Sequence, residues 1–116
     1  LPWIFILFRC PTSFYNRRLQ IEYKNHELQK VCTDAHEAIK KYGNLMADKI
    51  HERIDQITAA DTVELLEQFH IGKCHHLEGN RKHQYAMDLV QPYRLIFIKK
   101  NLKIYTVQIV EIVNYH

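Results

Sequence analysis

The chain has 116 residues, 47% hydrophobic and 25% charged, with a formal net charge of +3; that supports one core and is too short for two ordinary domains. Three widely spaced cysteines, Cys10, Cys32 and Cys74, contain no C-x-x-C pair, which argues against a disulfide framework and a zinc knuckle. That cysteine usage sets the expectation of a cytoplasmic location, and the opening "LPWIFILF", apolar for eight residues against about 20 needed to span a bilayer, sets the expectation of no transmembrane helix and no membrane partner.

Residues 1–18 read as an appendage to a domain over 19–116. Arg9, Arg17 and Arg18 follow the apolar run instead of preceding it, the wrong order for a signal peptide. "LQIEYK" (19–24) alternates apolar and polar residues, the period of a half-buried strand. From His26 the period lengthens: Leu28, Val31, Cys32, Ala35, Ile39 and Tyr42 fall at helical spacing, with Gly43 placed to end the helix. Asn44 is expected to cap a second helix striped by Met46, Ile50, Ile54 and Ile57, giving an αα-hairpin. "DTVE" (61–64) has a capping spacing and opens a short helical segment through Phe69.

Three β-rich stretches follow, "QYAMDLV" (84–90), "YRLIFIK" (93–99) and "KIYTVQIVEIV" (103–113), separated by "QP" and "KN"; they predict an antiparallel meander. The order β-α-α-β-β-β predicts an α+β fold, a helical hairpin packed on one face of a small antiparallel sheet.

Charge is unevenly distributed. Residues 22–70 carry six Lys/Arg against ten Asp/Glu, whereas residues 73–103 carry seven against two. The second half therefore presents a basic block suited to an anionic partner, nucleic acid being the commonest in the cytosol.

Several chemistries are excluded. Ser13, the single serine, lies in the appendage, so a Ser-His-Asp hydrolase has no nucleophile in the domain. Three glycines, Gly43, Gly72 and Gly79, fit neither phosphate-loop pattern, and "HERID" (51–55) lacks the second histidine of H-E-x-x-H. "HIGKCHH" offers His70, Cys74, His75 and His76 as zinc donors, but adjacent ligands on a strand point to opposite faces, and neither metal nor cofactor is expected.

What remains is a set of imidazoles and cations, His75, Arg81, Lys82, His83 and Arg94, interleaved with Tyr85 and Tyr93 and ending in Tyr115 and His116. Histidine moves protons near neutral pH, arginine forks onto phosphate, and tyrosine stacks on bases. A metal-free ribonuclease needs those functions: deprotonate a ribose 2′-OH, stabilise the phosphorane, protonate the leaving 5′ oxygen.

From about Leu19 to His116 the chain resembles the HigB branch of the RelE/ParE toxins. "HHLEGNR" is similar to that branch's His-Pro-Leu-Lys-Gly-Asp-Arg, retaining His75, Leu77, Gly79 and Arg81; "QYAMDL" and "PYRLIF" match the following strand pair; "NYH" matches the terminal Asp-Tyr-His. The resemblance implies a RelE-like fold and a ribosome-dependent mRNA endonuclease partnered by a HigA-like antitoxin. It implies proton transfer by His75, Tyr115 and His116 and a phosphate grip by Arg94, with Asn114 counted in the same catalytic ending; RNA contacts are expected from the cationic and aromatic set Lys73, Arg81, Lys82, His83 and Tyr85. His76, Glu78, Asn80, His83 and Asn114 replace the branch's Pro, Lys, Asp, Gly and Asp. The alternative is a non-catalytic binder, either a ParE-like gyrase inhibitor or a degenerate toxin that only binds its antitoxin.

Overall fold

The structure, a computed structural model, describes residues 19–100 and 105–114. The expected appendage, Tyr115 and His116 lie outside the described residues. Leu19 is buried, and its N–H donates to the Ala60 carbonyl at 3.0 Å, which ties the start of the expected domain to the end of the helical hairpin. Strand β1 (Gln20–Tyr23) follows.

The first expected helix is two helices, α1 (His26–Thr33) and α2 (Ala35–Tyr42). Asp34 between them is extended at φ −122° and ψ 111°, and its carboxylate accepts from the His36 N–H at 2.9 Å. The Thr33 hydroxyl donates to the Gln29 carbonyl at 2.6 Å. Short polar side chains compete in this way for backbone partners that a continuous helix would use. The apolar period runs across the break, so periodicity alone hides it.

Helix α3 (Asn44–Ala59) begins at Asn44, whose side chain was expected to cap it; the cap position is Gly43, at φ +89°, with no side-chain bond. That left-handed backbone is cheap only for glycine, so one residue both ends α2 and starts α3. In the next helix, α4 (Val63–Gln68), the cap is Thr62, not Asp61: its hydroxyl accepts from the Leu65 N–H at 3.2 Å.

Five strands form one sheet in the order β1-β5-β4-β3-β2. The meander is present as β3 (Gln84–Asp88), β4 (Tyr93–Lys99) and β5 (Thr106–Asn114). A two-residue edge strand, β2 (His75–His76), pairs antiparallel with β3; it is too short to show a period. At the other edge β1 runs parallel to β5, with Ile21 opposite Val107, so the sheet is mixed where an antiparallel one was expected. The intervening helices return the chain so that β1 and β5 point the same way, a long-range outcome that local alternation does not encode.

The helices cover one face. Val31, Ala38, Ile50, Ile57 and Leu66 pack there with Tyr85, Met87, Leu95, Phe97 and Ile109 from the strands. A β-bulge interrupts the β4–β5 pairing: Phe97 faces Ile109, whereas Ile96 faces Glu111, and Val110 is skipped. Ile109 and Glu111 are two residues apart and would share a face in a regular strand. The bulge separates them, sending Ile109 into the core and Glu111 to the opposite side.

Candidate active face of the sheet

Residues directly opposite one another in a sheet share a face, so the register assigns the side away from the helices. One row across four strands is His75, Ala86, Ile96 and Glu111; the next is Asp88, Arg94 and Val113; a third is Gln84, Ile98 and Gln108. Ala86 and Ile96 are fully buried yet outside the helix-side cluster, so this face carries apolar residues between the polar ones of the same rows. His75 and Arg94 are separated by two inter-strand spacings, with β3 between them, and one row, about 12 Å between Cα positions from standard strand spacings.

His75 is held in a defined state. Its Nδ1 lies 2.9 Å from the Lys73 carbonyl oxygen, and a carbonyl can only accept, so Nδ1 carries the hydrogen and the neutral ring has its lone pair on Nε2. The segment that sets this contact is tightly turned: His70, Gly72 and Lys73 have φ of 54°, 59° and 57°. Beneath it, Arg53 of α3 donates through Nε to the Asp88 carbonyl at 2.6 Å. A Cβ on Gly72 would sit 2.6 Å from that same Nε. The glycine thus lets the turn descend onto Arg53, which joins it to the end of β3.

Both arginines of the face have carboxylate neighbours. Arg94 Nε is 3.5 Å from Oδ1 of Asp88, which is 14% exposed, and Arg81, from the turn Gly79–Arg81, is ion-paired with Glu111. Lys82 and His83 follow on the exposed loop. Asp88, Glu111 and Arg53 are the residues that sequence reasoning missed. Asp88 and Glu111 carried no motif, and the bulge that aims Glu111 leaves no period to read.

Two expected site residues are placed elsewhere. Tyr85 was expected to contact RNA, but it is 6% exposed, and its ring is stacked between His76, at 4.5 Å between centroids, and Phe97, at 5.6 Å. Both faces are taken, because its position in β3 points to the helix side. Asn114 pairs with Tyr93, while Val113 pairs with Arg94; the register puts Asn114 in the helix-side row, where Tyr93 meets Tyr42 edge to face at 5.8 Å. His75, Arg81 and Arg94 are brought to one face; Asn114 is not brought beside them.

The sequence set weighed for zinc is dispersed. Cys74 is fully buried, and burial, with the Glu67 charge, pushes its thiol up to about 12. His75 and His76 lie in opposite rows, and among the described residues no group of three or more His, Cys, Asp or Glu is placed to share an ion. Among those residues, too, no helix is long and apolar enough to cross a membrane.

No protein-family model matches the chain, and no curated protein matches it in sequence. Solved structures do match in shape. The YoeB–YefM complex from Staphylococcus aureus contains a chain 20% identical, superposed with a TM-score of 0.56 over 85% of this chain and 98% of that one. The YoeB/ParE toxin from Agrobacterium tumefaciens is 10% identical, with a TM-score of 0.59 over 84% of this chain and all of its own. The YoeB dimer from Staphylococcus aureus superposes with a TM-score of 0.56 at 20% identity. Helices on one face of a five-stranded sheet, superposing over nearly the full length of these proteins, give this chain the fold of the RelE/ParE toxins.

Proposed function

We propose that this protein is the toxin of a type II toxin–antitoxin system, a cytoplasmic endoribonuclease that cuts mRNA on the translating ribosome by metal-independent acid–base chemistry. The observation that carries the proposal is the face shared by His75, Arg81 and Arg94, on which the Lys73 carbonyl leaves His75 Nε2 as the proton acceptor. His75 Nε2 takes the ribose 2′-OH proton. Arg94, steadied by Asp88, offsets charge on the phosphorane with help from Arg81. Tyr115 and His116 return a proton to the 5′ oxygen, and Lys73, Lys82 and His83 line the approach.

The small basic block binds RNA weakly by itself, and the ribosome supplies the orientation that a positioned reaction needs. An antitoxin completes the system: the Staphylococcus aureus relative is solved with YefM, and the sequence resemblance points to a HigA-like partner. The test is primer extension on messages from a translating extract. Wild type should give discrete cuts within translated codons, His75→Ala should give none, and efficient metal-free cutting of naked RNA would count against ribosome dependence.

One feature favours a second reading as a non-catalytic binder: Asp88 and Glu111 lie against the two arginines and reduce the positive charge offered to a phosphate. Growth arrest that survives His75→Ala and leaves messages intact would select it.

A further inference from the structure

The position that displaces Tyr85 from base stacking is itself built for that task. His76 is exposed and lies parallel to Tyr85, at 4.5 Å between centroids and 5° between planes. Tyr85 in turn lies at 5.6 Å and 14° on Phe97, which is fully buried in the core. Three rings form a column rooted in the core and ending in an imidazole at the surface. Among the described residues the imidazole is stacked on one side, by Tyr85, and it keeps exposed area for a further planar group.

Its surroundings are cationic. The groove beside it is lined by His76, Lys82, His83, Tyr85, Ile98 and Lys99. Lys99 is tied to Glu64 at 2.6 Å, whereas Lys82 and His83 are exposed on the loop entering β3. A flat apolar platform flanked by cations suits a nucleobase with its phosphates. An acidic peptide would use the cations but has no need of the ring column.

The place in the fold connects this groove to the active face. His75 and His76 are consecutive on β2, the terminal strand of the sheet, and their side chains project to opposite sides. A single strand crossing the β2 edge would meet one on each side.

We propose that His76 is a stacking platform for a base of single-stranded RNA, held by Lys82 and His83, so that the strand wraps the β2 edge with its reacting phosphate at His75. This rests on the endoribonuclease reading for the identity of the strand, yet its binding is measurable without cleavage. The probe is a fluorescein-labelled single-stranded RNA octamer carrying one 2-aminopurine, titrated with His75→Ala protein, with and without a second change. His76→Ala should weaken binding about tenfold and restore 2-aminopurine fluorescence, as expected from losing one base–aromatic stack. His76→Phe should retain both binding and quenching, since it keeps the ring and drops the proton chemistry.

Equal affinity and equal quenching in His76→Ala and its parent would overturn the platform. No RNA binding by the parent, with ribosomal cutting by wild type intact, would overturn it and leave the enzyme reading standing. His76-dependent quenching with no cutting by wild type would keep the platform and remove the enzyme reading. A glutamate-rich peptide that outcompetes the RNA, sensitive to Lys82→Glu but indifferent to His76→Ala, would overturn the platform in favour of an acidic protein partner.

Discussion

The two faces of the sheet are built from the same strands and obey different constraints. Along β3 and β4 the helix-side pairs are Tyr85–Phe97 and Met87–Leu95; one residue over, the pairs are Ala86–Ile96 and Asp88–Arg94. The first set is sealed in the core cluster, while the second combines an apolar pair with an ion pair at 3.5 Å. Alternation thus lets one strand carry stability on one side and charge on the other, and changes on each side should be separable in their effects.

The sharpest break of that contrast is Phe97→Ala. Phe97 is fully buried and supports the Tyr85–His76 column, so its loss should cost about 3–5 kcal/mol of stability, read as a fall in denaturation midpoint. On the other face His75→Ala should cost about 10²-fold or more in ribosomal cleavage while leaving that midpoint nearly unchanged. A large loss of stability from the histidine change would show that the faces are not separable.

The helix side was largely legible, and for a physical reason. Burying one face imposes period 3.6 on helices, so Met46, Ile50 and Ile57 mark the inner stripe of α3, while "YRLIFIK" marks β4 to the residue by its β-branched and aromatic run, buried on both faces at Leu95, Ile96 and Phe97. The other face was legible in type but not in arrangement. His75, Arg81 and Arg94 stand out as residues; what places them depends on features with no period. The skipped Val110 inverts the face of Glu111, β2 has two residues, and Arg53 acts across 35 positions of sequence. Tyr85 and Asn114 stand in helix-side rows, a placement that register sets and residue type alone does not reveal.

Gly72 controls the turn that enters β2 and lies on neither face of the sheet. Gly72→Ala places a side chain on a φ of +59° and drives its Cβ toward Arg53 Nε, which is already committed to the Asp88 carbonyl. The expected cost is about 1–3 kcal/mol. The same variant should lose more cleavage than its stability predicts, because the Lys73–His75 contact shifts with the turn; cleavage unchanged at a lowered midpoint would separate His75 from the turn. Glu111→Gln acts on charge alone. It removes a negative neighbour from Arg81, so RNA affinity should rise a few-fold, and the salt dependence should steepen by up to about one phosphate equivalent. Affinity unchanged at low salt would show that Arg81 does not meet RNA.

The smallest effect expected joins the two halves of the chain. Glu64 on α4 accepts from Lys99 on β4 at 2.6 Å, which crosses from the helix layer to the end of the sheet near the His76 groove. The hydrogen bond from Lys99, a backbone hydrogen bond at Glu64 itself and the Lys99 charge hold the Glu64 carboxyl below its ordinary range, and the bond between the two side chains raises the Lys99 ammonium above its own. A carboxylate whose folded pKa is lowered contributes stability that is present above its unfolded pKa and is lost as pH falls through the folded one. The pair is mostly exposed, at 42% and 63%, so solvent screening limits it to about 0.2–1 kcal/mol. Glu64→Gln should therefore lower the midpoint slightly at neutral pH and not at all in acid below the carboxylate range, and the neutral difference should shrink in high salt. A difference that persisted in acid or grew with salt would mean that Glu64 acts through packing on α4 instead of through its charge on Lys99.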